Sequence, residues 1–547
     1  MRRRDLLLGL LFLGTSLGWA LGGGGCAPVE RDFGTPGGTS GGTRCEPGTE
    51  EACYEGPEGT TDLGLCRAGT RRCLDDGSGY GACEGQVLPA AEQCATPDDE
   101  DCDGASPLCS LAHLWSYGPG ISGNNNIATG VAVGGDEGLL VAGEMNGTMD
   151  FGEGLVVSAG LSDAFLMKLD AATGAVRWAR VYGNADKQED VAVAADAEGG
   201  AFLSMSFSGL LDVGGIPATS AGGRDVLVAR VSADGETAWV ATAGDTDTQE
   251  SAAIAAMPGD SAVVGGTFFG SATFGSSALA VSDMTRDVFV AKIAGNGAWL
   301  WGAQGASSGY PEVNAVAVDG NGNVLVAGTF DGNFGFDGLT ALSHGGYDAF
   351  LVKLDGETGE AQWQMTFGGN GNDKATGVAV DAAGNLVLVG AFSETVEFGS
   401  TTLTTPSQQS FFVARIDADG GVQSAAQFGA IFEGLNQMAV ALDSKGNLAL
   451  SGFYAGAMGF GGDTFMSVGM GFGMLDLFVA KLDPAGGHLA SRGFGNEQIQ
   501  MMRAVAVDEA GRIFTVGASL GAIDVGGGPV GPPDRAGTTP LVAAYSP

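Results

Sequence analysis

The residues best equipped for chemistry lie in the first 110 positions of this 547-residue chain. Asp99-Glu100-Asp101-Cys102-Asp103-Gly104 reads D-x-D-x-D-G. Side-chain oxygens on alternate residues, with a glycine for the sharp turn, open a calcium-binding loop. Asp99, Asp101 and Asp103 are therefore candidate Ca2+ ligands, although Ser110 stands at the twelfth position, where a bidentate Glu is expected. All nine cysteines fall in the same region. Cys26 stands apart. Cys45, Cys53, Cys66, Cys73, Cys83, Cys94, Cys102 and Cys109 form an even set, read as four disulfides whose pairing the spacing does not choose. His113, His344 and His488 are the whole histidine complement and fall at unrelated positions of the repeat described below. They offer no His-rich zinc site and no Ser-His-Asp triad. No other cofactor is expected.

The elements that carry these residues divide the chain in four. Residues 1–26 begin MRRRDLLLGLLFLG, three arginines before an apolar run, and read as a secretory signal. The Gly-rich run ending at Cys26 resembles a bacterial lipoprotein signal, which implies lipid on Cys26, with Gly23 in place of the Leu expected three residues earlier. Plain secretion is the other outcome. Residues 27–44 are a Gly/Thr/Pro linker. Residues 45–109 hold the cysteines and few large aliphatics, so disulfides stand in for a core. The end of this module, EQCATPDDEDCDG, resembles a metal-binding motif of bacterial surface proteins, including copper-binding ones.

Residues 110–547 are a repeat. DAFLMKLD (163–170) returns as DVLVARVS, DVFVAKIA, DAFLVKLD, SFFVARID, DLFVAKLD and PLVAAYSP. The seven copies are spaced 62, 62, 61, 62, 66 and 64 residues apart. Within a copy, AVAVD turns through GNGN into VLVAGTF; a longer connection follows, then FLVKL and QWQMTF form a second hairpin. Short β-branched and aromatic runs punctuated by Gly, Asn and Asp are strands. Four antiparallel strands make one propeller blade. The last copy stops after three strands, and HLWSYG (113–118) matches the missing fourth. The expected fold is all-β: a seven-bladed propeller closed by an N-terminal strand and preceded by a small disulfide-rich module. Closure removes the unpaired sheet edges that invite aggregation.

The VAVD-x-x-G-N turn (318–323, 380–385, 442–447) and the D-x-F-[LV]-[VA]-K-[LI] block resemble the bacterial β-propeller repeat called SBBP, found in exported and cell-surface proteins. That resemblance implies a scaffold with no fixed chemistry. Parity of the meander puts the long connections on one face and the short turns on the other, and long loops on a rigid ring are where binding resides.

Several function classes are excluded or disfavoured. A net charge of -39 excludes nucleic acid as a partner. The residues aligned at the ring's entrance, Thr129, Val191, Ala252, Asn314, Thr376, Met438 and Arg503, are mixed and mostly neutral, which argues against an enzyme. The blade-to-blade acids Asp186, Glu189, Asp190, Asp245, Asp247, Glu250, Glu312, Asp373, Glu433 and Glu497 read as a solvated rim. Asp163, Asp225, Asp287, Asp348 and Asp476, with a Lys or Arg five residues on, read as strand-edge caps and ion pairs. Trp178, Trp239, Trp301 and Trp363 read as inter-blade packing. The expectation is an exported, lipid-anchored scaffold at the outer membrane or cell surface. It is monomeric, touches the membrane only through its lipid, and binds protein or glycan through the long-loop face. The alternative is a carbohydrate-active lyase or hydrolase whose close carboxylates, with raised pKa values, share one pocket.

Overall fold

The strand that ends the chain, Thr538–Tyr545, lies between two partners of very different origin. On one side it pairs with Ile513–Leu520, its neighbour in sequence. On the other it pairs with His113–Tyr117, in the register Trp115 to Ala544 and Tyr117 to Val542. Ser546 N–H donates to the Ala112 carbonyl, and Ala112 N–H donates to the Ser546 side-chain Oγ, which continues the seam. With Gln500–Val507 innermost, these strands form blade 7. The propeller expected from the repeat is the fold, and the tail before the first copy closes it.

The computed structural model describes residues 44–57, 59–90, 99, 102, 111–123, 126–152, 154–281, 285–432, 437–468, 475–532 and 537–547. The proposed lipid site Cys26, residues Cys94, Asp101, Asp103 and Cys109, and the acid Glu433 lie outside them. The chain divides into two compact units, Met1–Asp62 with Cys66–Leu88, and Leu63–Leu65 with Pro89–Pro547.

In the smaller unit Glu50–Cys53 pairs with Gly69–Arg72. Cys45 is bonded to Cys73 and Cys53 to Cys83, closing loops of 28 and 30 residues. By loop-closure entropy each such bridge is worth about 3–4 kcal/mol. Cys66 and Cys102 are also disulfide-bonded. Among described residues 44–90 the only buried apolar side chains are Cys66 and Cys73, while Leu63, Leu65, Leu74 and Leu88 stay exposed. The bridges do replace a core.

In the larger unit blades 1 to 6 follow the repeat, each a four-stranded antiparallel meander. Blade 1 is Ile127–Val133, Gly138–Met145, Asp163–Asp170 and Val176–Tyr182. The innermost strands pack side by side in order from blade 1 to blade 7, and that of blade 7 packs against that of blade 1. Seven apolar clusters fill the seven junctions; Leu140, Leu166, Leu203 and Leu227 meet between blades 1 and 2. Alternation along each strand puts one set of apolar side chains into each neighbouring junction, which is why second and third strands read as continuous apolar runs. In blade 4 hydrogen bonds close the first turn. Asp319 Oδ1 accepts the N–H groups of Asn321 and Asn323, and Gly322 supplies the left-handed φ of 84° that the turn requires.

The long second-to-third connections carry more structure than the sequence led us to expect. They fold as hairpins, such as Leu210–Val213 with Ile216–Thr219 and Ser271–Phe274 with Ser277–Ala280. In blade 5 the second and third strands simply lengthen, to Leu386–Phe398 and Thr401–Ile416. At three junctions the chain from one blade's outermost strand pairs with the next blade's hairpin: Gly120–Gly123 with Gly147–Asp150, Trp299–Ser307 with Asn333–Phe336, and Val422–Ile431 with Gly456–Met458. The signal was present in LDVGGIPAT and FGSSALAV, alternating residues around a Gly-containing turn.

Candidate functional site at the channel mouth

The innermost strands enclose a channel of about 690 Å3. Near its start each of these strands, except that of blade 6, carries a β-bulge, and the bulged residue is the one that aligns at the ring's entrance. Most of these side chains stitch blades together. Thr129 Oγ1 donates to the Val191 carbonyl at 2.5 Å, Thr376 Oγ1 to the Met438 carbonyl at 2.7 Å, and Asn314 Nδ2 to the Ala375 carbonyl at 2.8 Å. Met438 departs from the alignment. Blade 6 has no bulge, so Met438 is a paired, fully buried residue.

Seven copies of one unit show at each position what the fold itself needs. Three residues break the pattern, and all three face one channel. The second-strand residue that pairs with the entrance end of the first strand is Ser206, Thr267, Thr329, Ala391, Phe453 and Ala518 in blades 2 to 7, but Glu144 in blade 1. The position before the bulge holds buried Ala128, Ser251, Val313, Ala375, Met438 and Met502, but half-buried Asp190 in blade 2. At the bulge, where other blades have small or neutral residues, blade 7 has Arg503.

All three line the channel. Asp190 has φ of 57°, a left-handed backbone that is uncommon outside glycine. In that conformation its N–H donates to Glu144 Oε1 at 2.9 Å, and Ser206 Oγ donates to its Oδ2 at 2.8 Å. Arg503 donates to Gln437 Oε1 at 2.8 Å and lies over the Phe453 ring. Burial in the channel wall, and then the neighbouring Asp190 carboxylate, push Glu144 up to about 7. Burial also raises Asp190 and lowers Arg503. A carboxyl group poised at that value gives and takes a proton with equal ease near neutrality. Lys374 and Glu312 complete the mouth. Alignment of the entrance residues missed the acid pair because its members come from different registers of different strands.

The acids of the rim fall into distinct groups rather than one solvated set. Glu189, Glu250 and Glu312 are strung together by Arg224 and Arg286, with Arg224 bonded to Glu189 at 2.9 Å and to Glu250, and Arg286 to Glu312 at 2.8 Å. Asp245 accepts the Asp247 N–H and Asp373 the Gly369 N–H in their own loops, and burial lifts fully buried Asp373 to about 7. Elsewhere the recurrent residues have the structural roles expected. Asp163, Asp225, Asp348 and Asp476 accept loop N–H groups from Ala159, Ala221, His344 and Val468. Lys168, Arg230, Lys353 and Lys481 pair with Asp136, Asp196, Asp319 and Asp443 in the first turn of their own blade. Trp178, Trp239 and Trp301 donate their indole N–H to carbonyls of the next blade, Ala233, Gly295 and Gly356, and Trp363 lies against Gly420.

The histidines need one correction. His113 and His488 hold the same place, the start of the outermost strand in blades 7 and 6, paired with Tyr545 and Leu482. The match is visible in sequence as HLW (113–115) beside HLA (488–490). Asp99, of the candidate calcium loop, is buried beside Gly64. Among the described residues no group of three or more His, Cys, Asp or Glu side chains is placed to hold a metal.

No protein-family profile matches this chain, nor does any curated protein sequence. Solved propellers do. Sqt1 from Chaetomium thermophilum matches with TM-score 0.41 and 12% identity, over 80% of this chain and 99% of that one. The quinohemoprotein alcohol dehydrogenase from Comamonas testosteroni matches at 0.37 and 13%, over 80% and 77%. BamB from Moraxella catarrhalis matches at 0.35 and 11%, over 79% and 99%. These are likenesses of architecture and assign neither a family nor an activity.

Proposed function

We propose that the protein is an exported scaffold, held at the outer membrane or cell surface by lipid on Cys26, which binds a protein or glycan through the long-loop face of its propeller. Multiple disulfides are the mark of a chain that works outside the cytoplasm. The resemblance to exported SBBP-type proteins and the lipoprotein-like signal support the anchor.

One observation carries the binding reading. Among the described residues of 111–547, thirteen large apolar side chains are exposed, and eleven of them sit in the second-to-third hairpins or the blade-to-blade loops. Leu114 and Leu300, in outermost strands, are the exceptions. Leu155 is 73% exposed, Val157 67%, Leu210 65% and Met466 64%. Apolar side chains held out on ordered hairpins and loops fit a surface that a partner covers.

The experiment is to screen the purified chain against a glycan array and polysaccharide substrates, and to crosslink it at the cell surface. A variant carrying Leu155→Asp, Leu210→Asp and Met466→Asp is run in parallel. Stable binding of a glycan, or crosslinking to a partner protein, supports the scaffold, and loss of either in the triple variant places that ligand on the hairpins. Turnover of a polysaccharide without stable binding favours the lyase or hydrolase reading, for which the Glu144 and Asp190 pair supplies the raised, neighbouring carboxyl groups.

A further inference from the structure

We propose that the channel mouth at the meeting of blades 7, 1 and 2 is a saccharide site, which holds the end of a glycan chain through its hydroxyl groups. The proposal rests on the scaffold reading and names the ligand for one part of the long-loop face.

The copies of the repeat are the control. Blades without an acid or a guanidinium at these positions keep the same strand pairing, so the fold does not call for Glu144, Asp190 or Arg503. Three separate departures converge on one cavity, and its volume of about 690 Å3 falls within the small-molecule range of about 300–1,000 Å3.

Charge then selects the ligand class. Among the described residues, Glu144, Asp190, Lys374 and Arg503 take no part in an ion pair, whereas the Glu189, Glu250 and Glu312 carboxylates beside them do. A simple cation entering the mouth meets Arg503 and Lys374. An anion meets Glu144 and Asp190. A neutral polyol is favoured by both signs, because each hydroxyl donates to a carboxylate and accepts from a guanidinium or ammonium group. Such charge-assisted bonds are stronger than neutral ones. Ser206 and Gln437 steady the two sides, the first on Asp190 and the second on Arg503.

The test uses the full chain on a glycan array, followed by calorimetric titration with the best-bound oligosaccharide. Titrations of Glu144→Gln, Asp190→Asn and Arg503→Met, each with a thermal melt matching the parent, accompany it. The expected result is at least a tenfold loss of affinity in each, with binding kept by the Leu155→Asp, Leu210→Asp, Met466→Asp variant. Glycan binding lost in the triple variant but unchanged in the three mouth variants places the sugar on the hairpins and overturns the mouth assignment while leaving the scaffold standing. An empty array, or binding of a zwitterionic amino acid in place of every oligosaccharide, also overturns it. Release of new reducing ends that Glu144→Gln abolishes supports a saccharide at this mouth and makes Glu144 a catalytic residue.

Discussion

Trp115 donates its indole N–H to the carbonyl of Ala171 at 3.0 Å. The first belongs to blade 7 and the second to blade 1, so this bond crosses the seam where the ring closes. It is the same bond that Trp178, Trp239 and Trp301 make at ordinary junctions. The seam is therefore built like every other junction, and removing residues 110–120 is expected to open it. Differential scanning calorimetry should show a lower Tm, and light scattering should show aggregation as the edge of Thr538–Tyr545 is exposed. A truncated chain as monomeric and heat-resistant as the parent would refute strand closure.

Trp239→Phe keeps the ring packed on Phe202 but removes the donor to the Gly295 carbonyl. An orphaned acceptor of this kind costs about 1–3 kcal/mol. Chemical denaturation should show that loss, and a change within error would mean that packing alone holds the junction.

Lys168 is 1% exposed, and its ammonium group bonds to Asp136 at 2.6 Å and to the carbonyls of Gly199 at 2.7 Å and Ala233 at 3.3 Å. It thus ties a turn of its own blade to two turns of the next. Lys168→Met should cost about 1–3 kcal/mol, because it orphans the buried Gly199 carbonyl, while the exposed Asp136 keeps its pair with Arg177. Lys187, half-exposed in its pair with Glu189, should cost less than about 1 kcal/mol when changed to Ala. Equal losses at the two sites would contradict this distinction.

Burial raises Asp373 to about 7 and Asp476 to about 6, and also lifts Asp163, Asp225 and Asp348. A raised carboxyl pKa means that the folded state binds more protons than the unfolded one between the two values. Stability is then present below the ordinary carboxylate range and falls as pH rises toward about 7. Asp170, lowered to about 2 by Arg177 and Thr173, has the opposite effect and loses its contribution only in stronger acid. Thermal melts should give a higher Tm at about pH 5 than at about pH 8, and Asp373→Asn should reduce the difference. A Tm that rises steadily to pH 8 would reverse the assignment.

Peptide mapping by mass spectrometry under non-reducing conditions should recover Cys45 joined to Cys73 and Cys53 joined to Cys83. Other pairings of these four would displace the arrangement of the small unit.

The blades were legible in sequence because a period near 62 residues repeats the same strand alternation, and because HLWSYG carries the Trp and Gly of a fourth strand. The face assignment followed from strand parity alone. The channel mouth was not legible. Glu144 and Asp190 are 46 residues apart, and a bulge that turns Asp190 left-handed is what brings them together. Repetition made the shared structure readable, and it hid the exceptions until the copies were laid over one another in space.

The hydrogen bond from Ala112 to Ser546 spans 434 positions. A ribosome delivers His113–Tyr117 long before Thr538–Tyr545, so blade 7 cannot be completed until the latter strand emerges. For that interval His113–Tyr117 has no partner and Ile513–Leu520 has not yet arrived. Ring closure thus follows synthesis of the other six blades. Chains interrupted late in synthesis should be the ones most dependent on chaperones or most exposed to proteases.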